Sequence, residues 1–288
     1  MTSAVPLRRS RPGPAPDWRA GPGTQVMGVL NVTPDSFSDG GRFERPDAAI
    51  AQALRMEQDG AAIIDIGGES TRPGHAAISA EEEIARVVPV IEALAPQLRV
   101  PISIDTYKAE TARAALRAGA RIVNDVWGLQ REPTIANAVA EFRVPVIVMH
   151  NRKAPDPGAD VIDELRRFFE ISLDIARRAG IPDRDIVLDP GIGFGKTPQQ
   201  QLDALRRLPE ICALGFPVLV GVSRKSILGR IADRDTRPDE RLTASISAHV
   251  LAATLGAAIV RVHDVAEHVE ALRVVNAVMG GIPPLEAS

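Results

Sequence analysis

Eight short runs rich in Val and Ile, each followed by a longer segment of helical period, recur at roughly thirty-residue spacing from residue 25 onward. They are 25–30 (QVMGVL), 61–66 (AAIIDI), 101–104 (PISI), 121–124 (RIVN), 145–149 (PVIVM), 185–188 (DIVL), 217–222 (PVLVGV) and 257–262 (AAIVRV). The runs are nearly continuous in apolar residues, as strands are when they lie parallel and are covered on both faces. Eight such units in series, with no antiparallel edge or break in the order, predict an α/β fold: a single (β/α)8 TIM barrel over residues 24–283. The 288 residues suit this, since barrels of this kind use about 250 residues in one domain.

The segments between the runs carry helix punctuation. Ser79 stands three residues before Glu82 at the head of "SAEEEIARVVPVIEAL", the spacing of a capping box. In "VIDELRRFFEISLDIARRAG" the positions Ile162, Leu165, Phe169, Ser172, Ile175 and Ala176 trace one helical face, and Gly180 can end it. "RLTASISAHVLAATLG" is apolar almost all round, which predicts burial on more than one side, with a second subunit as one cover. Residues 1–23, dense in Pro, Gly and Arg, read as an unstructured tail.

Charge and cysteine content narrow the function classes. A net charge of −3 and a pI near 6.0 give no general basic field for nucleic acid. No apolar run is long enough to cross a bilayer, so a membrane role is not expected. Cys212 is the single cysteine, which excludes an internal disulfide and Cys-based zinc clusters and points to a cytoplasmic protein.

In a barrel of this type the chemistry gathers at the C-terminal ends of the strands. Polar residues do gather there: Asn31; "DIGGESTRPG" at 65–74; Asp105; Asn124 and Asp125; Met149 and His150; Asp189 in "DPGIGFGKT"; "SRKS" at 223–226; "RVHD" at 261–264. A lone Asp after a strand is as often a helix cap. Asp105, Asn124 and Asp189 at corresponding ends of three strands could instead grip a flat heterocycle with several N–H donors. "DPGIGFGKT" is not a phosphate loop, because Gly191 stands one residue too close to Gly195. Its Thr197, Pro198 and Gln200 form a helix start, and Gly191, Gly193 and Gly195 would let backbone approach a planar ligand. Arg72, Arg261 and His263, with Thr71, are candidates for a phosphate site, the ordinary reading of Arg72 and Arg261 being rim residues in exposed ion pairs. His75, His249 and His268 lack metal-ligand spacing and read as surface or packing residues.

Taken together, "MGVLNVTPDSFSDGG", "DIGGESTRPG", "ISIDT", "NDV", "LDPGIGFGK", "GVSRKS" and "RVHDV" resemble, in that order, the motifs of the dihydropteroate synthase family, the sulfonamide-blocked enzymes of folate synthesis. The resemblance runs from about residue 25 to 280. It implies a homodimeric transferase that joins 6-hydroxymethyl-7,8-dihydropterin diphosphate to p-aminobenzoate and releases pyrophosphate, assisted by Mg2+. Carried over by position, it implies that Asp105, Asn124, Asp189 and Lys225 hold the pterin, bordered by Met149, Phe194 and Gly221. Asn31, Arg261 and His263 would bind the diphosphate, Asn31 also through the metal. Thr71 and Arg72 would lie in a second mobile loop. Phe37, Pro73 and Ser226 would shape the aminobenzoate pocket, with Asp39 near the leaving group. "NVTPDSFSDGG" would be a lid with Gly40 and Gly41 as hinges. Two rivals share parts of this pattern: a pterin-binding methyltransferase barrel that serves a corrinoid protein, and a duplicated synthase that binds without turnover. Ile192 stands where many relatives have an aromatic residue, and "HNRKAP" after strand five carries no assigned role.

Overall fold

The computed structural model describes residues 23–33, 44–70, 77–233 and 236–280. The strands are β1 Gln25–Asn31, β2 Ile63–Gly67, β3 Ile102–Asp105, β4 Ile122–Asp125, β5 Val146–Met149, β6 Ile186–Asp189, β7 Leu219–Val220 and β8 Ile259–Val262. All pair in parallel, in the order β6-β5-β4-β3-β2-β1-β8-β7. A parallel bridge between Leu188 and Val218, with the Leu188 amide donating to Pro217 O at 3.0 Å, joins β6 to β7 and completes the cylinder. The expected barrel is therefore present, and every predicted strand end falls within two residues of the observed one, with β7 trimmed by two residues at both ends. There Pro217 has no amide to give, and the Val222 amide leaves the ladder for His249 Nε2 at 3.2 Å.

Helices α1 Glu44–Gln58, α2 Ala80–Leu94, α3 Ala109–Ala118, α4 Thr134–Phe142 and α5 Val161–Ala179 follow the first five strands. Beyond β6 come α6 Pro198–Arg206 and α7 Leu208–Cys212, beyond β7 α8 Ser226–Ile231 and α9 Leu242–Thr254, and beyond β8 α10 Val265–Val278. The caps follow the local sequence. Ser79 accepts from the Glu82 amide, but Glu82 turns to Arg86 instead of closing the box. Thr197 and Gln200 form the complete reciprocal box, with Pro198 at the first helical position. The Ile162, Leu165, Phe169, Ser172, Ala176 face of α5 is buried, and Gly180 ends the helix at φ 87°. On α9 the single chain covers only the face of Ser245, Ala248, His249 and Ala252, leaving Leu251 exposed.

The barrel lumen is built by a period of two. Met27, Ile63, Ile122, Ile147, Val187, Leu219 and Ile259 form a separate buried cluster, one residue from each of seven strands. These side chains are the floor. The residue two positions further along shares the same face of its strand. Those residues are Val29, Asp65, Asn124, Met149, Asp189, Gly221 and Arg261, and the Ser103, Asp105 pair continues the rule on β3. Apolar below and mostly polar above, through Asp65, Asp105, Asn124, Asp189 and Arg261, the alternation delivers a functional layer onto a packed base.

Candidate active site

Asp65, Asp105, Asn124 and Arg261 form one hydrogen-bonded unit on that layer. Arg261 donates from Nε to Asp65 Oδ2 at 2.6 Å and from Nη2 to Asp105 Oδ2 at 2.7 Å, while Asn124 Nδ2 donates to Asp65 Oδ2 at 3.0 Å. One guanidinium thus serves two carboxylates that are almost completely buried. The other oxygens, Asp65 Oδ1 and Asp105 Oδ1, are buried without a hydrogen-bond partner. Burial pushes the Asp105 carboxyl up to about 8, with Asp65 adding to the effect and Arg261 opposing it. A buried carboxylate oxygen with no donor is costly, so this wall is built to receive N–H groups. Asp65 was not among the residues expected here. It heads the stretch "DIGGESTRPG" but was given no role of its own there, and its lumen-facing parity with Ile63 is what places it on this wall.

Across the mouth, Asp189 Oδ1 accepts the Gly191 amide at 2.7 Å, and burial raises its carboxyl, with Lys225 opposing. Lys225 donates to Ile192 O and lies 4.6 Å from the centre of the Phe194 ring. Loss of water pushes its ammonium down to about 8, against the pull of Asp189. Met149 and Phe194 belong to an apolar rim with Tyr107, Val126 and Trp127. A Cβ on Gly221 would meet Arg261 alone, its Cβ at 3.6 Å and its backbone O at 4.0 Å, so this glycine relieves no clash with the described residues.

The glycines of "DPGIGFGKT" answer a different need from the expected one. A Cβ on Gly191 would fall 2.0 Å from His150 O, and one on Gly195 2.4 Å from Arg152 O, with φ +64° and +52°. They let the loop after β6 press against the loop after β5. Arg152, in the stretch given no role, holds that contact by donating from Nε to Gly195 O at 2.6 Å and pairing with Glu164.

His263 Nδ1 lies 3.0 Å from Ser223 Oγ, which also accepts the His263 amide. Asn31 ends β1, partly buried, on the strand face of Met27. Ser226 is exposed at the first turn of α8. Phe37, Asp39, Gly40, Gly41, Thr71, Arg72, Pro73 and His75 lie outside the described residues, as does the tail through residue 22. Of the remaining histidines, neither is at the surface. His249 and His268 are buried in a chain that runs from the Val222 amide through His249 Nε2, His249 Nδ1 and His268 Nε2 (3.0 Å apart) to Asp264 O. Burial lowers both rings below the ordinary histidine value.

A family model described as pterin binding enzyme matches residues 27–263. A dihydropteroate synthase of Synechocystis sp. is 50% identical over 268 residues, 91% of each chain. That of Bacillus subtilis is 46% identical over 90% of each. The chain belongs to the dihydropteroate synthase family. A solved family structure from Clostridium difficile, in the presence of pteroic acid, is 46% identical with a TM-score of 0.87, covering 90% of this chain and 97% of its own. One from Xanthomonas albilineans, with 4-aminobenzoic acid, is 48% identical with a TM-score of 0.86, covering 90% and 94%. The chain is thus a transferase barrel of folate synthesis. No described helix is long and apolar enough to cross a membrane.

Proposed function

We propose that the mouth of the barrel joins 6-hydroxymethyl-7,8-dihydropterin diphosphate to p-aminobenzoate, giving 7,8-dihydropteroate and pyrophosphate. The observation that carries this reading is the pair of unpartnered buried oxygens on Asp65 and Asp105, beside Asn124 and opposite Asp189. A pterin presents ring N–H, amino and carbonyl groups on one flat edge, the complement of that acid and amide wall. Met149 and Phe194 border its faces, Gly221 leaves room for the ring, and Lys225 meets its acceptors.

No side chain needs to become covalently bound. The C–O bond between the exocyclic methylene and the diphosphate breaks with its electron pair passing to the leaving group. The lone pair of the aryl amine forms the C–N bond, and the nitrogen then sheds one proton. Fixed carboxylates such as Asp105 favour the positive charge that develops on the pterin, while Arg261 and His263 favour the departing anion, as preorganised electrostatics require. Arg261 spends the N–H of Nε and one of Nη2 on Asp65 and Asp105, so its contribution to the diphosphate comes through the three that remain, two on Nη1 and one on Nη2. The segments holding Phe37 and Asp39, and Thr71, Arg72 and Pro73, would close over the amine and exclude water, with Ser226 at the edge of its pocket.

Magnesium fits this scheme. Among the described residues no group of three or more His, Cys, Asp or Glu is placed to hold a metal. Magnesium does not require one, since it keeps several waters and is commonly held by one or two protein oxygens together with substrate phosphates. Asn31 would hold it through its single amide oxygen. When bound there, the ion supplies charge neutralisation to the diphosphate. The working unit in this proposal is a cytoplasmic homodimer, which the exposed Leu251 of α9 and Val274 and Val278 of the adjoining α10 support.

The test is pyrophosphate release by the purified protein given both substrates, each alone, or neither. Release that requires both is expected. Absence of release, with pterin binding intact, would favour the binder reading, and methyl transfer to a corrinoid protein the other rival.

A further inference from the structure

Lys196 takes no part in the scheme above, yet it is among the most enclosed charged groups of the chain, 6% exposed. Its ammonium lies 2.6 Å from His150 Nδ1, 3.1 Å from Gly191 O and 3.3 Å from Phe194 O. An ammonium has three protons, and these three acceptors use them all. Two of the acceptors belong to the loop that precedes Lys196, so the chain from Gly191 to Lys196 closes into a ring around its own side chain. The third belongs to the end of β5, whose His150 amide donates to Asp189 O at 2.9 Å.

That ring carries the pterin wall. Asp189 accepts the Gly191 amide, Ile192 O receives Lys225, and Phe194 supplies the aromatic face. His150 must accept at Nδ1, which puts its proton on Nε2, 3.8 Å from Glu164 Oε1. Arg152 closes the far side, bonded to Gly195 O, Glu164 and Gln200. Loss of one ammonium proton would leave one of the three acceptors empty in a buried loop.

We propose that Lys196 is a positioning residue for the pterin: its ammonium, clasped by His150, Gly191 and Phe194, sets the loop that presents Asp189, Phe194 and the Lys225 acceptor to the ring. The inference rests on the pterin reading of the site. The groups that face the ammonium are Asp189 from β6, Glu164 from α5, Arg152 and His150 from the β5 end, and Lys225 from the β7 end. Burial lowers the Lys196 ammonium to about 7, with Asp189 and Glu164 opposing, so the clasp is set to weaken through neutral pH.

The experiment measures kcat and both KM values from pH 6 to 9 for the wild type, K196M, H150N and H150L. Loss of one charge-assisted bond predicts a pterin KM raised about ten-fold or more in K196M at pH 6, with the aminobenzoate KM and kcat moved far less. The ratio of K196M to wild-type KM should shrink as pH rises through 7, because the wild-type clasp then sheds its own proton. H150N keeps an acceptor at the Nδ1 position and should rescue, whereas H150L should behave as K196M does. Should K196M fail to fold, the two His150 variants carry the comparison. A ratio independent of pH, equal changes in both KM values, or H150L matching H150N would overturn the clasp. Wild-type protein without turnover would instead overturn the reading of the site itself.

Discussion

The acid wall at the barrel mouth and the histidine chain outside β7 are both buried polar networks, and they are finished to different degrees. From the Val222 amide to Asp264 O, each ring nitrogen of His249 and His268 has a partner, and the donors and acceptors alternate without a gap. At the mouth, one guanidinium faces two carboxylates, and Asp65 Oδ1 and Asp105 Oδ1 have nothing. The complete network braces the strand end from which Ser223, Arg224 and Lys225 depart. The incomplete one holds unmet hydrogen-bonding capacity that a ligand can fill. Burial alone does not separate structure from function here; the state of pairing does.

The comparison breaks most readily at Asp105. D105N removes a carboxyl that burial keeps short of charge until positive charge develops on the pterin beside it, and kcat/KM for the pterin diphosphate should fall on the order of a hundred-fold. Its thermal midpoint should hardly move, since Asp65 keeps Arg261 paired. A marked loss of midpoint would mean that the wall is structural after all. The reverse pattern is expected at the other network. H249A and H268A each strand a buried partner and should lower unfolding stability by about 1–3 kcal/mol, with kcat/KM changing less than in D105N. Denaturant unfolding and steady-state kinetics on the same preparations check both.

Acid sharpens the contrast. His249 and His268 are held neutral in the fold, below their unfolded value near 6.5, and burial with Lys196 takes His150 down to about 2. Their stabilising effect is full above pH 6.5 and is lost as pH falls below it, because only the unfolded chain then takes up the protons. Each such group contributes up to about 1.4 kcal/mol per pH unit below that point. The double variant H249Q/H268Q should show a shallower fall between pH 6.5 and 4.5 than the wild type. A control completes the series: Arg177 and Asp183 pair at 2.9 Å on the half-exposed surface, and R177A should leave the midpoint unchanged.

Much of this was legible in the chain. Each strand run stood out because parallel strands covered on both faces are continuously apolar, and the helix starts at Ser79 and Thr197 carry their signals locally. Asp105, Asn124 and Asp189 were visible because they end such runs. Asp65, quoted only as the first residue of "DIGGESTRPG", received no role because it reads as a single charge inside an apolar strand. Its signal was the period of two shared with Ile63. Lys196, Arg152 and the histidine chain could not be read, since their meaning depends on the packing of β5 against β6 and of α9 against α10. In Gly191 and Gly195 the need for glycine was visible, and its cause, the backbone of the neighbouring loop, was not.

The most direct test is a crystal structure of the protein with 6-hydroxymethyl-7,8-dihydropterin diphosphate bound. The account predicts a pterin N–H about 3 Å from Asp105 Oδ1, with the Asp65, Asn124 and Arg261 contacts kept. A pterin bound elsewhere, with Asp105 Oδ1 still lacking a donor, would contradict it.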